Sequence, residues 1–373
     1  MRIDRLALNG FRNYDFESLS FSPKINVICG ENAQGKTNLL EAVYMLTSGR
    51  SYRTRYDAEL IGFDSSVAEI LADVYAHERE QTVKIKLSRG RSKQIFQNGV
   101  KKTGTELSGV FCAVLFSPED LEIVKGGAGI RRRYIDSAIS QLRPSYAAII
   151  SEYGRLHEQK TAILRDWREK PSLLDVLDDF SEQICRVGSS VIRYRASFIK
   201  KMSEVAESIA LDISEGEDNL SLNYKTVSTV ADPMATEKQI YYALLDHAES
   251  HREAEIASGF CLTGPHKDDM EIIINGNPAR AFASQGQTRT AALALKLSER
   301  DIYLKETGEE PVLLLDDVLS ELDDKRQEFL LNRIEGGQVL ITCCQDAKIA
   351  EKTGGLVIYV SGGKARHVPS SRK

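Results

Sequence analysis

No stretch of this sequence approaches the ~18–20 consecutive apolar residues that a membrane-spanning helix needs. The opening Met1-Arg2-Ile3-Asp4 does not read as a secretory signal. Cysteine is sparse: Cys29, Cys112, Cys185 and Cys261 lie far apart, only Cys343 and Cys344 are adjacent, and none falls in a Cys-x-x-Cys. That pattern indicates neither a zinc knuckle nor a secreted disulfide frame, and a reduced cytoplasmic setting is expected. Apart from His266, taken up below, the histidines show no metal-ligand spacing. Internal repeats and low-complexity tracts are absent. With 9 Pro, 26 Gly, 42% hydrophobic and 28% charged residues, collagen-like fibres and wholesale disorder are excluded. A chain of 373 residues then implies two domains, or one domain with a large insert.

The net charge of −5 does not advertise a polyanion binder, yet it conceals an asymmetry. Residues 1–170 carry 26 Lys+Arg against 21 Asp+Glu, and the remainder carries 23 against 33. Between 82 and 105 there are seven basic residues (Lys84, Lys86, Arg89, Arg91, Lys93, Lys101, Lys102) and no acidic one. Arg50, Arg53 and Arg55 alternate with Tyr52 and Tyr56, and Arg131-Arg132-Arg133 forms a third cluster. Local positive surface of this kind can hold a polyanion on an acidic molecule. It can equally be a set of solvated faces.

The first third reads as short strands: Ile3–Leu8, Ile25–Cys29, Val67–Tyr75, Thr82–Leu87 and Lys93–Gln97, with Asn98-Gly99 as a hairpin turn. Val110–Phe116 is an unbroken apolar run, the mark of a strand buried on both faces, and it stops at Ser117-Pro118. The middle is helical. Apolar residues recur at helical spacing from Ile135 to about Trp167 and, after a break at Lys170-Pro171, from Leu174 to Ile209 in steps of three and four. This predicts two long helices packed antiparallel as an arm up to ~50 Å long, or else two helices buried in an ordinary α lobe. A further helix covers about Thr236–Ala257. The last third returns to α/β: Met270–Ile274 before a turn at Asn275-Gly276, a helix over Thr290–Lys305, a buried strand Val312–Leu315, a helix Lys325–Ile334 and a strand Val339–Cys343. The last ten or so residues look frayed.

Gly30-Glu31-Asn32-Ala33-Gln34-Gly35-Lys36-Thr37 fits G-x-x-x-x-G-K-[ST], and it follows one predicted strand and opens a helix, the context that motif requires. Its glycines let backbone N–H groups curl around a phosphate, and the helix N-terminus adds partial positive charge. Lys36 would reach the β- and γ-oxygens, and the Thr37 hydroxyl would ligate Mg²⁺. Val312-Leu313-Leu314-Leu315-Asp316-Asp317 supplies the partner: a buried strand ending in a carboxylate sets Asp316 beside Thr37 to hold the metal, and Asp317 is placed to polarise an attacking water. Ser284-Gln285-Gly286-Gln287 precedes a helix, so Ser284, Gly286 and Gln287 form a second anion-binding turn. Ser320-Glu321-Leu322-Asp323 follows the acids as a turn and helix cap.

This order resembles the ABC-type ATPases, in which the Ser-x-Gly-x signature of one subunit completes the γ-phosphate site of another. Four stretches resemble the RecF family of bacterial recombination mediators more closely still: Leu8-Asn9-Gly10-Phe11-Arg12-Asn13-Tyr14; Phe116-Ser117-Pro118-Glu119-Asp120-Leu121 running to Gly126-Gly127 and Arg131-Arg132-Arg133-Tyr134-Ile135-Asp136; Leu262-Thr263-Gly264-Pro265-His266-Lys267-Asp268-Asp269; and Ala283–Gln287 with the acidic strand. The second departs from the family at Ala128, where Pro is expected. The resemblance implies an α/β fold, an ABC-type ATPase head (P-loop NTPase, mixed sheet flanked by helices) with an inserted helical lobe carrying a short antiparallel coiled-coil-like arm. Residues 1–116 plus 262–373 would form the ATPase core and 117–261 the lobe. It also implies ATP and Mg²⁺ as cofactors, Arg12 among the nucleotide contacts, and a homodimer formed on ATP. The implied role is binding of gapped or single-strand–duplex junction DNA, and loading of RecA with RecO and RecR in recombinational repair, replication restart and the SOS response. A weak DNA-stimulated ATPase used as a switch, cytoplasmic and nucleoid-associated, with no membrane partner, is expected.

Departures from the wider class bear on mechanism. Asp317 stands where transporter heads have Glu, one methylene shorter, so slow hydrolysis is expected. No switch His follows the last strand, where Thr342 is followed by Cys343, and no convincing Gln couples lobe to nucleotide, Glu119 and Asp120 occupying its place. His266 is either a catalytic base or a structural partner of Asp268 and Asp269. Two other classes remain open, a cohesin-like structural DNA clamp and a small-molecule P-loop kinase, with a transporter ATPase behind them; a kinase would need neither the signature nor the Ser320–Asp323 loop.

Overall fold

A computed structural model of the chain describes residues 1–334, 336–344 and 352–368. The chain divides into two compact units, Met1–Leu121 with Ala292–Lys373, and Glu122–Ala291. In chain order the first segment carries β1 (Arg2–Phe11), β2 (Tyr14–Ser20), β3 (Ile25–Cys29), α1 (Lys36–Met45), β4 (Val67–Ala76), β5 (Arg79–Ser88), β6 (Arg91–Gln97), β7 (Val100–Lys102), α2 (Gly104–Leu107) and β8 (Ala113–Phe116). Then come α3 (Leu121–Lys125), α4 (Ala128–Leu142), α5 (Pro144–Asp166), α6 (Leu177–Ser214), β9 (Leu220–Lys225), α7 (Glu237–Ser258), β10 (Asp269–Ile274), β11 (Asn277–Pro278), α8 (Ala279–Phe282) and α9 (Gln285–Thr307). The chain closes with β12 (Val312–Asp316), α10 (Asp324–Arg333), β13 (Val339–Cys343), β14 (Leu356–Ser361) and β15 (Lys364–Val368).

The first unit holds two six-stranded sheets around one core. One is antiparallel, in the order β2-β1-β4-β5-β6-β7. Its strands alternate buried and open residues, as β4 shows with Ala68, Ile70, Ala72 and Val74 turned inward. Asn98-Gly99 turns β6 into β7 with φ of 50° and 78°, the doubly left-handed geometry of a two-residue hairpin. His77-Glu78 makes the same turn between β4 and β5 with no Asn or Gly, its two amides donating to the Glu309 carboxylate at 3.1 and 3.2 Å. The second sheet runs β15-β14-β3-β13-β12-β8, parallel from β14 to β8. The inner strands β12 and β13 and the edge strand β8 are buried at every residue, as apolar runs flanked on both faces must be. The run from Val110 shortens to Ala113–Phe116, because Val110 N–H closes a turn on the Leu107 carbonyl.

The second unit is mostly helical. The expected helix from Ile135 breaks at Arg143-Pro144 into α4 and α5, since Pro144 has no N–H to continue the ladder and takes the first helical position instead. α5 and α6 pack on each other as the short connection between them dictates, but α6 is wider than a two-helix seam. Beside Ile184, Val191, Phe198, Met202 and Ile209 it also buries Gly188, Ser189, Ala196, Ala206 and Ala210. Those small residues let α4, α7 and β9 close on it as well as α5, so α6 is the spine of an α lobe. α7 starts with a full capping box, Thr236 with Gln239, and stops at Gly259 with φ of 74°. Residues 262–291, expected with the ATPase core, cluster with this unit: β10 pairs antiparallel with β9, a short strand not predicted above. The frayed end expected over the last ten residues is half strand, since β15 runs to Val368; residues 369–373 lie outside those described. Among the described residues no helix is long and apolar enough to cross a membrane.

Candidate nucleotide site

Strand register assembles the first half of the site. β3, β13 and β12 are adjacent and parallel, with Cys29 opposite Cys343 and Thr342 opposite Asp316, so three carboxyl-terminal tips lie side by side. In open α/β sheets ligands bind at that edge. The loop 30–37 leaves β3 there and runs into α1. Gly30 (φ 152°) and Gly35 (φ 117°) take backbone angles that an L side chain resists. Space forbids a side chain as well: a Cβ on Gly30 would lie 2.2 Å from the Val360 carbonyl oxygen. Lys36 is buried, and its Nζ donates to the Gly30 and Glu31 carbonyls at 2.8 and 3.0 Å, inside the curl of the loop.

Thr37 and Asp316 meet as expected, with Thr37 Oγ1 donating to Asp316 Oδ1 at 3.0 Å. Two further hydroxyls, which the sequence reading missed, hold the same carboxylate: Thr342 Oγ1 at 2.9 Å to Oδ1 and Tyr52 at 3.2 Å to Oδ2. Thr342 Oγ1 also accepts the Asp317 amide at 2.8 Å, fixing the second acid, which sits at φ 51°. Burial, with Asp316 alongside, raises the Asp317 carboxyl above the usual carboxylate range against the pull of Lys36. The hydroxyl and carboxylate of Thr37 and Asp316 are the oxygen donors a hard divalent cation takes, so the pair fits Mg²⁺.

The rest of the loop is braced from outside. Asn13 Nδ2 donates to the Gln34 carbonyl at 2.9 Å, Tyr14 hydroxyl to the Gly35 carbonyl at 3.0 Å, and Gly362 N–H to Gln34 Oε1 at 2.6 Å. Cys344 Sγ contacts Asn32 Oδ1 at 2.8 Å and Lys36 Nζ at 3.8 Å, so a thiol stands one residue beyond the β13 tip. Arg12, expected among the nucleotide contacts, forms a bidentate pair with the wholly buried Glu41 of α1 at 2.9 and 2.8 Å. Glu41 also accepts from Ser51 and Arg53, which ties the 51–53 segment to the loop's helix. Ser320 Oγ donates to the Asp317 carbonyl at 2.6 Å and Asp323 caps α10, as that turn predicts.

In the second unit, Ser284 and Gln287 cap α9 reciprocally: Gln287 N–H donates to Ser284 Oγ at 3.1 Å, and Ser284 N–H to Gln287 Oε1 at 3.0 Å. Gln287 Nε2 is anchored on Asp218 at 2.9 Å, so its side chain builds the turn. The triple-arginine cluster turns inward by its first two members, while Arg133 is exposed. Arg131, 4% exposed, pairs with Asp269, and Arg132 donates to the Asp268 carbonyl. His266 is structural, its Nδ1 against the Tyr153 hydroxyl at 2.7 Å and its Nε2 on the Cys261 carbonyl at 2.9 Å. Folding brings ligand atoms of His157, Cys261 and His266 within 4.8 Å of one another, a grouping invisible in their spacing. Both His266 nitrogens are engaged and Lys160, Lys267 and Arg132 bear on the group, so it is a hydrogen-bonded cluster in a cationic setting, unsuited to a metal ion. Of the basic 82–105 stretch, Lys84 and Lys86 pair with Glu69 and Lys93 with Asp57, while Arg91 and Lys101 are exposed.

Comparison with known proteins places this geometry. Residues 2–363 match the RecF/RecN/SMC N terminal domain family. The chain is 39% identical over 362 residues to the DNA replication and repair protein RecF of Acetivibrio thermocellus, covering 96% of this chain and 98% of that one. It is 42% identical over 377 residues to RecF of Listeria welshimeri, covering 98% and 100%. Among solved structures it is similar to one of the recombination mediator protein RecF with ATP in the RecFOR pathway, 34% identical with a TM-score of 0.91 over 98% of this chain and 97% of that one. The Smc head domain of Pyrococcus furiosus, 16% identical with a TM-score of 0.55, covering 98% of this chain and 95% of that one, shares the fold alone.

Proposed function

The chain belongs to the RecF family of DNA replication and repair proteins, and on that premise we propose that it is an ATP-switched clamp for repair DNA. Its loop 30–37 would take the phosphates of ATP, with Lys36 turning from the loop carbonyls to the β- and γ-oxygens. Thr37 and Asp316 would hold Mg²⁺, which when bound neutralises phosphate charge. Asp317 would orient water on the γ-phosphate; its side chain, one methylene shorter than Glu, suits slow turnover. Ser284, Gly286 and the N-terminus of α9 would complete the pocket of a second copy, so that ATP pairs two chains and hydrolysis parts them. The observation that carries the reading is the contact of Thr37 with Asp316 across β3, β13 and β12, which brings the phosphate loop and the acidic strand together as oxygen donors a Mg-nucleotide would take.

DNA would be held in the paired state, mainly through phosphates, because the exposed cations Arg91, Lys101, Arg50 and Arg55 offer charge without a recognition helix. The family supports recruitment to gapped or single-strand–duplex junction DNA, and loading of RecA with RecO and RecR. Sedimentation with Mg-ATP and a gapped duplex tests the switch. Lys36→Ala abolishes pairing and DNA retention, and Asp317→Asn accumulates an ATP-bound pair. Pairing of Lys36→Ala at the parent's concentration refutes the reading.

A further inference from the structure

The stretches around Arg131 and Asp269 contribute nothing to the phosphate-loop chemistry, yet they converge on the signature turn. Helix α8 ends at Phe282, one residue before the peptide that joins Ala283 to Ser284. Lys125 Nζ donates to the Ala283 carbonyl at 2.6 Å and to the Ala279 carbonyl at 3.3 Å. The same Ala283–Ser284 peptide offers its N–H to Gln287 Oε1 at 3.0 Å. A peptide group is planar and rigid, so a bond at its oxygen and another at its nitrogen fix the plane from both sides.

Lys125 is itself held. It is the last residue of α3, and the carbonyls that end that helix, Ile123 and Gly126, accept from Arg131 Nη1 at 3.4 and 2.8 Å. Arg131 is clamped bidentate on Asp269 at 2.6 and 2.8 Å, at the start of β10. Charge-assisted bonds of this kind are stronger and more directional than neutral ones. An unbroken run therefore leads from Asp269 through Arg131 and the end of α3 to Lys125 and the plane of Ser284.

We propose that Lys125 is the positioning residue of the signature turn, fixing the Ala283–Ser284 peptide so that Ser284 and the N-terminus of α9 face the nucleotide of a second copy. The proposal rests on the reading above that the signature acts on a paired chain. Lys125→Met keeps the aliphatic stem and removes the ammonium. Affinity for a fluorescent ATP analogue at protein concentrations below pairing stays within about twofold, since the phosphate loop is untouched. The concentration for half-maximal Mg-ATP pairing rises severalfold, up to about the ten- to hundredfold worth of a charged hydrogen bond, because the bond is intrachain and pairing registers only the lost positioning. Hydrogen exchange quickens over residues 279–288 alone, and Lys125→Arg, which keeps a cationic donor, restores most of the pairing. Unchanged pairing and exchange in Lys125→Met overturn the proposal, as does a parallel loss of nucleotide affinity, or equal impairment of the Met and Arg variants. Ser284→Arg separates the two readings. If it pairs normally the signature does not act in trans, and if it blocks pairing while Lys125→Met does not, the positioning role alone falls.

Discussion

His266 gives a quantitative test of how the family-specific stretch 262–269 is built. Its ring accepts from the Tyr153 hydroxyl and donates to the Cys261 carbonyl, a pattern that the neutral ring satisfies completely. Burial, reinforced by His157, Lys267 and Arg132, lowers its pKa from the ordinary 6.5 to about 3 in spite of the Cys261 carbonyl. The unfolded chain thus takes up a proton near pH 6.5 that the folded chain refuses until about pH 3. Stability is fully present above pH 6.5 and falls as pH drops toward 3, by about 1.4 kcal/mol per unit. Between pH 7 and pH 5 this amounts to about 2 kcal/mol. The assay is urea unfolding at the two pH values for the parent and for His266→Gln, whose amide does not titrate. Taking the difference of differences cancels every other ionisable group, and the parent should lose about 2 kcal/mol more than the variant. If the two lose the same amount to within about 0.5 kcal/mol, His266 is not held neutral and the account of the stretch is wrong.

Two further outcomes test the nucleotide site. Thr342→Val removes one hydroxyl that both donates to Asp316 and accepts the Asp317 amide at a fully buried position. Unfolding free energy should fall by about 2–3 kcal/mol and Mg²⁺-dependent nucleotide affinity should weaken; a loss under about 0.5 kcal/mol would remove Thr342 from the site. Gly30→Ala drives a Cβ against the Val360 carbonyl and demands a left-handed φ. It should cost roughly 1–3 kcal/mol and at least tenfold in nucleotide binding, and wild-type affinity by titration would show that the loop does not need its observed shape.

The phosphate loop, its flanking strand and helix, the acidic strand and the signature were all legible in the sequence, because each is a local pattern. An apolar run, a turn glycine or a cap residue acts on neighbours a few positions away. β3 and β13 were predicted to the residue for that reason. The short strand β9 carries the alternation Leu220, Leu222, Tyr224, but over too few residues to be legible, and pairing with β10 is what makes it a strand. The width of α6 was likewise hidden, since Gly, Ser and Ala at buried positions carry no hydrophobic signal. Charge misled in the opposite sense: three consecutive arginines read as surface, but a remote carboxylate pairs with Arg131 and a remote carbonyl accepts from Arg132, and only Arg133 of the three is exposed.

Local chemistry thus determined which groups can cradle a phosphate and hold a divalent cation, since those powers reside in glycine φ angles, a helix end, one ammonium and two oxygen donors. Only the tertiary structure decided how they are aimed. Strand order brought Thr342 and Tyr52 onto Asp316, tied Arg12 to Glu41, and led Asp269 through Arg131 and Lys125 to the plane of Ser284. Such bonds join residues tens to hundreds of positions apart, and their directions are set by packing, which no local pattern encodes.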